Sequence, residues 1–173
     1  MRRRNCFRGF GRSWRLLSVL GAVFLAPPAA VAADNPPAEP LPRFATLRAD
    51  EVNLRVGPGK RYPIEWVYRR KGLPVEVFAA YETWRKVRDS DGTEGWVDQH
   101  MIAPARAVVV QGEVREIHAA PDARSAVVAR AQPGVIAKLV ECSGPWCRIE
   151  AQDARGWLKR SEVWGVYPDE DVR

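Results

Sequence analysis

The chain has 173 residues, a formal charge of +6, 46% hydrophobic residues and 9% aromatic residues. Residues 1–33 carry six arginines (Arg2, Arg3, Arg4, Arg8, Arg12, Arg15) and no acid, so the rest holds 21 basic against 21 acidic residues. Once that segment is removed the alkaline character goes with it, which argues against the lasting basic stripe of a nucleic-acid or polyphosphate binder.

The first 33 residues have the order of a secretory signal. Arginines populate the start, then comes the apolar run Leu16–Ala26, then small residues. The run is 11 residues long, within the range of a signal core and too short to span a bilayer. Ala30-Val31-Ala32 fits a cleavage site, and a cut after Ala33 fits too. The alternative is an N-terminal membrane anchor. The expectation is a periplasmic or secreted protein with no stable membrane insertion after cleavage. The general secretory and twin-arginine routes both remain open. Residues 34–43 hold four prolines in the stretch Asp34 to Pro42 and are expected to form an extended, solvated linker.

The mature chain, about 140 residues, suits one ordinary domain or two small ones. It contains an internal repeat. Pro58, Gly72, Trp84 and Gly95-Trp96 are spaced by 14, 12 and 11 residues, and Pro121, Gly134, Trp146 and Gly156-Trp157 by 13, 12 and 10. In the first unit Asn53–Val56 opens a strand and Gly57-Pro58-Gly59 turns. Leu73–Phe78, Trp84–Arg88 and Gly95–Asp98 supply further strands, and a helical turn follows at Gln99–Ile102. The second unit repeats this with Glu116–Ala119, Val135–Val140, Trp146–Glu150, Gly156–Lys159 and a turn at Arg160–Val163. The expected fold class is all-β, as two tandem small β-barrels over residues 44–103 and 106–167. The short linker Ala103–Arg106 implies that the two pack together, and the acidic tail 168–173 is expected to fray.

Cys6 leaves with the signal, so Cys142 and Cys147 remain, in Cys142-Ser-Gly-Pro-Trp-Cys147. Ser-Gly-Pro is a turn sequence between β-prone stretches, which lets the two thiols face each other across a hairpin as a disulfide. The alternative, a metal or redox pair, needs more ligands. His100 and His118 lack metal-site spacing, so no metal and no cofactor are expected. A disulfide sulfur cannot serve as a thiolate nucleophile, and neither histidine has a recognisable nucleophile beside it. The expectation is a chain with no catalytic residues.

The run Val52-Asn-Leu-Arg-Val-Gly-Pro-Gly59, with Tyr62-Pro-Ile64, Gly72, Trp84-Arg-Lys-Val87 and Gly95-Trp-Val97, resembles the bacterial SH3-like (SH3b) domain family. Tyr62 to Val75 is similar in wording to an exported subgroup with two such domains, and Cys142–Arg148 with Val163–Tyr167 resembles that subgroup's second unit. The second unit departs at its opening, where Asn53-Leu54-Arg55 becomes Glu116-Ile117-His118 and Gly57 becomes Ala120. The resemblance implies a cell-envelope protein of tandem small barrels, usually non-catalytic, some relatives of which bind peptidoglycan peptides.

Aromatic residues carry the binding argument. Trp96 and Trp157 are expected to pack in each core. Trp84 and Trp146 begin strands beside turns, where a half-open indole would line a groove, and Tyr62 would form the opposite wall. Arg55 and Tyr81 complete the candidate groove. The competing assignment places each ring in a core or in the seam between units, and it applies first to Trp66, Tyr68, Trp164 and Tyr167. The expected function is non-catalytic binding of a peptidoglycan peptide or an envelope polypeptide. A structural adaptor that binds only protein is the alternative, followed by a cell-wall hydrolase or its accessory.

Overall fold

The computed structural model describes residues 40–173. The expected leader and most of the expected linker lie outside those residues. Among the described residues no helix is long and apolar enough to cross a membrane.

Two seven-stranded antiparallel sheets follow one another. The first comprises β1 (Arg43–Leu47), β2 (Val52–Arg55), β3 (Ile64–Tyr68), β4 (Pro74–Tyr81), β5 (Trp84–Arg88), β6 (Glu94–Asp98) and β7 (Ile102–Ala103). Their order is β3-β2-β6-β5-β4-β1-β7. The second comprises β8 (Ala107–Val110), β9 (Arg115–His118), β10 (Val127–Ala131), β11 (Ile136–Ser143), β12 (Trp146–Ala151), β13 (Ala154–Lys159) and β14 (Val163–Trp164). Its order, β10-β9-β13-β12-β11-β8-β14, is that of the first. Single 3-10 turns, Gln99–Met101 and Arg160–Glu162, precede β7 and β14.

Every strand of the first sheet sends at least one residue into one cluster, including Leu47, Leu54, Tyr68, Val77, Val87, Val97 and Ile102. A flat sheet of seven strands would be about 29 Å wide at ~4.8 Å per strand, so such a cluster requires the sheet to roll. The second sheet does the same around Val108, Ile117, Leu139, Cys147, Ile149 and Leu158. Both sheets break register at equivalent places, between Val77 and Ala79 and between Leu139 and Glu141. Such bulges bend a strand and raise its twist. Rolling also brings β6 close to β2. A Cβ at Gly95 would lie 2.5 Å from Leu54, and one at Gly156 the same distance from the His118 carbonyl oxygen. Only glycine fits either crossing. The glycines therefore point inward, and strand alternation sends Trp96 and Trp157 outward, where both are half-buried. This corrects their expected place in the cores.

The two sheets meet at an aromatic seam. The Phe44 ring packs edge-on against Trp164 (5.0 Å between centroids) and tilted against Tyr167 (4.6 Å). The Tyr167 hydroxyl donates to Glu76 (3.0 Å), and Arg70 donates to the Gly134 carbonyl (3.1 Å). Burial and the Glu76 carboxylate push the Tyr167 phenol well above its usual range. Trp164 and Tyr167 are thus seam residues. Tyr68 belongs to the first core and donates its hydroxyl to the buried Asp89 (2.9 Å). Trp66 belongs to neither, being 57% exposed.

Cys142 and Cys147 are register partners across the β11–β12 hairpin and form a disulfide, with Cα atoms 4.0 Å apart. Both sulfurs lie in the second core. The tail does not fray. Val172 is buried in that core, and its carbonyl accepts from the Cys142 N–H (2.9 Å). Arg160 holds the tail through the Tyr167 and Glu170 carbonyls (2.6 and 3.0 Å). Arg106 grips both carboxylate oxygens of Glu170. The acidic composition suggested solvation, but apart from Val172 these anchors lie outside the tail.

Two outcomes follow. A Cys142→Ser/Cys147→Ser variant closes no loop and should lose about 2 kcal/mol by chain entropy, read as a lower urea midpoint. Burial works to raise the Glu170 carboxyl, but the Arg106 hydrogen bonds, the Tyr167 N–H and nearby Arg160 outweigh it and hold it below its usual 4.5. A depressed folded-state value contributes stability above the unfolded value and loses it as pH falls through the folded one. Glu170→Gln should therefore lower stability at pH 7 by about 1 kcal/mol. It should also flatten the loss of stability below pH 4.5, measured by urea titration across pH.

Candidate functional site

The loop between β2 and β3, residues 56–63, is held by its own ends. Arg55 turns its guanidinium back on it, donating to the Tyr62 carbonyl (2.6 Å) and the Lys60 carbonyl (3.3 Å). The Tyr62 N–H donates to the Gly59 carbonyl (3.1 Å). The Tyr62 ring lies so close to Gly57 that a Cβ there would sit 2.5 Å from it. The Gly-Pro-Gly sequence is therefore a seat for an aromatic ring.

Between this loop and the 3-10 turn Gln99–Met101 lies a recess of about 290 Å³. Trp84 lines it, with Glu51, Asn53, Arg55, Lys60, Asp98 and Met101. Trp84 and Asp98 are directly opposed in register on β5 and β6. Trp84 is 8% exposed, so its indole is packed as the competing assignment has it, with only an edge left to line the recess. The loop and the 3-10 turn crowd a side chain that strand alternation alone would leave on the outer face. Burial works to raise the Asp98 carboxyl, but hydrogen bonds from the His100 backbone and ring (2.9 and 2.7 Å) dominate and hold it below its usual range.

Of the predicted groove residues, the structure brings Trp84 and Arg55 to one recess. The Tyr62 ring rests on Gly57 and Gly59, and Tyr62 reaches the recess only through the carbonyl that Arg55 grips. Tyr81 is the cross-strand partner of Trp84 and is 53% exposed, so it stands beside the recess on the same face. Glu51, Lys60, Asp98 and Met101 escaped sequence reasoning. They are ordinary surface residue types, and only the fold gathers them.

The second unit keeps the frame and changes the chemistry. His118 occupies the position of Arg55, and its Nδ1 meets the Ser125 carbonyl (3.3 Å) as Arg55 meets that of Tyr62. Ser125 replaces the tyrosine ring with two hydrogen bonds to the Ala120 backbone (3.2 and 3.1 Å). Without the ring, Ala120 can stand where the first unit needs Gly57. Trp146 is 9% exposed, again packed as the competing assignment has it. The His118 ring packs edge-on against it (5.6 Å), and Lys159 stands 5.9 Å from its centre. Lys159 opposes Trp146 as Asp98 opposes Trp84, so the charge beside the indole is reversed. The signal lay in the repeat itself, where Gly95-Trp-Val-Asp98 aligns with Gly156-Trp-Leu-Lys159.

His100 pairs with Asp98 on the surface and His118 with Trp146, in different units. Among the described residues no group of three or more His, Cys, Asp or Glu side chains is placed to hold a metal ion.

Comparison with known proteins places this geometry. The model of the bacterial SH3 domain family matches twice, at residues 48–104 and 112–165. No curated protein matches the sequence. Among solved structures, similarity extends to NlpC2 from Trichomonas vaginalis (9% identity, 75% of this chain and 50% of that one, TM-score 0.35). It extends also to an NlpC/P60 family protein from Bacillus cereus (12% identity, 75% of this chain and 58% of that one, TM-score 0.32). The chain spans between half and three-fifths of the length of these two structures. The two matches of the family model span most strands of each sheet in turn and include Trp84 and Trp146, so this chain belongs to the bacterial SH3 domain family, with two copies of the domain in tandem.

Proposed function

We propose that this chain is an exported, non-catalytic binding protein whose first unit recognises a peptidoglycan peptide or a polypeptide of the cell envelope. Membership in the bacterial SH3 family supports a binding, cell-wall-associated role. The recess at Trp84 is the observation that carries the reading. It joins an apolar floor to a rim with Arg55 and Lys60 of one sign and Glu51 and Asp98 of the other. Such a rim suits a short peptide bearing both amino and carboxylate groups, and the loop that forms it is held in place before any ligand arrives. The second unit, closed by its disulfide and tail, supports the first through the seam.

A protein-only adaptor is favoured by a different feature. β3 is the edge strand of the first sheet, and Val56, Ile64 and Trp66 beside and along it are 52%, 47% and 57% exposed. An apolar sheet edge is a template for pairing with another chain.

Retention on purified cell-wall sacculi separates the two. The expected result is retention that Lys60→Glu and Met101→Asp each weaken about tenfold, both being exposed rim residues whose change spares the core. Gly57→Ala should weaken it too by displacing the Tyr62 ring, at about 1–3 kcal/mol in stability. No retention by sacculi, with an envelope protein recovered in a Trp66-dependent manner, would replace this reading with the adaptor.

A further inference from the structure

The strand order leaves each sheet two edges. One of them, β7 or β14, is two residues long and offers little to pair with. The other, β3 or β10, is five residues long. Ile64 and Trp66 on β3 are 47% and 57% exposed, and Val127 and Val128 on β10 are 44% and 49% exposed. Each unit therefore presents one long edge that carries apolar side chains into solvent. The two edges differ in size. On β3, strand alternation puts Trp66 on the face of the buried Tyr68, whose hydroxyl donates to Asp89. On β10 the equivalent positions are Ala129 and Ala131. Trp66 opposes Leu54 as Ala129 opposes Ile117, and Tyr68 opposes Val52 as Ala131 opposes Arg115. Asp89, next after Arg88, becomes Ala151, next after Glu150. Without the ring and its carboxylate, the inner face of β10 borders a recess of about 500 Å³, floored by Ile117, Ala129, Ala131, Ala151 and Ala154. In the first unit Val109 and Gly134 of the second stand against the matching place, whereas the recess at β10 is lined by its own unit alone. One edge of the chain carries a ring without a seat, and the other a seat without a ring.

The charges agree with the shapes. Glu65, beside Trp66, is exposed, and among the described residues its carboxylate forms no ion pair and no hydrogen bond. Arg130 on β10 is exposed too. It donates to Glu116 through Nε and Nη2 (3.3 and 3.0 Å), which leaves guanidinium N–H groups for a second carboxylate. An antiparallel ladder that sets Trp66 opposite Ala129 also sets Glu65 opposite Arg130 and Val67 opposite Val128. Directly opposed side chains share a face, so that one register brings the indole over the recess and the carboxylate to the guanidinium. From this we infer that β3 of one copy of this chain pairs with β10 of a second copy, with Trp66 entering the recess at Ala129 and Ala131. Each copy keeps one edge of either kind, so two copies close by exchanging both contacts or further copies add in a row. One short strand pair and one ring make a small interface, with a dissociation constant on the order of 0.1 mM. The contact is independent of the peptide recess at Trp84.

The test is sedimentation velocity on the purified mature protein alone, from about 10 µM to about 1 mM. No envelope protein is present, so the result is separate from the adaptor reading of β3. The expected result is a sedimentation coefficient that rises with concentration. Trp66→Ser should weaken the association about tenfold or more. Glu65→Arg and Arg130→Glu should each weaken it about five- to tenfold through like-charge contact. All three positions are exposed, so these changes spare the core. An equimolar mixture of the two charge variants should recover the association, because each then meets the reversed edge of the other. A single monomer boundary throughout the range, association that Trp66→Ser leaves unchanged, or charge variants without mutual rescue would overturn the pairing.

Discussion

The strands of this protein are two to eight residues long, and no α-helix stands among the described residues to cover them. A sheet of such strands can bury an apolar face by rolling around it, and each sheet here holds its own cluster of buried side chains. Rolling requires that the second and sixth strands of each sheet approach more closely than ordinary side chains permit. Gly95 against Leu54 and Gly156 against the His118 carbonyl are where that approach happens. The register of the side chains beside each buried tryptophan follows. With glycine inward, the next residue, Trp96 or Trp157, faces out. Two positions further along, Asp98 or Lys159 stands opposite the tryptophan of the preceding strand. The site is therefore a consequence of the crossing.

Duplication kept this frame and rewrote its charges. In the first sheet Arg88 lies between Glu76 and Glu94. At the same register positions of the second, Glu150 lies between Lys138 and Arg155. Each cluster is satisfied within itself, and each exposed pair contributes little to stability, on the order of 1 kcal/mol or less. Reversing a whole cluster therefore costs the fold almost nothing while changing what the outer face offers to a partner. One member is not free to vary in this way. Glu76 also accepts from Tyr167, so the first cluster is tied to the seam as the second is not.

Much of this was legible in the sequence, and the misses have physical causes. Alternating apolar runs after the landmark glycines mark the central strands, and the two 3-10 turns fall where turn residues follow them. β3 and β10 escaped because edge strands bury little. Of Ile64–Tyr68 only Tyr68 is buried, and of Val127–Ala131 only Ala131. β8 escaped because Ala107–Val110 is buried along its whole length and so shows no alternation. Trp96 and Trp157 face outward because strand period outweighs ring size, with Gly95 and Val97 on either side of Trp96 claiming the inner face. Trp84 departs from strand alternation in the other direction. Its strand position points outward, and only the loop and the 3-10 turn, remote in sequence, cover it. The tail was judged by its acids, whereas its one buried apolar residue, Val172, and the distant partners Arg106 and Arg160 decide its place.

The contrast between Arg55 and His118 indicates how one frame supports two roles. Both reach the carbonyl seven residues ahead, so both close the same loop. Arginine leaves donors over and carries a permanent charge into the recess. Histidine uses its ring differently, stacking edge-on against Trp146 and covering the indole that the first unit leaves beneath a polar rim. Tyr62 and Ser125 follow suit. The tyrosine requires a bare glycine beneath its ring, and the serine, needing only backbone partners, tolerates an alanine. The loss of glycine, arginine and tyrosine together in the second unit is thus one structural change. A ring-and-guanidinium loop over a recess has been exchanged for a hydroxyl-and-imidazole loop over a covered tryptophan. The disulfide and the latched tail sit on that same unit, which concentrates covalent and ionic reinforcement on the unit whose tryptophan is covered by an imidazole.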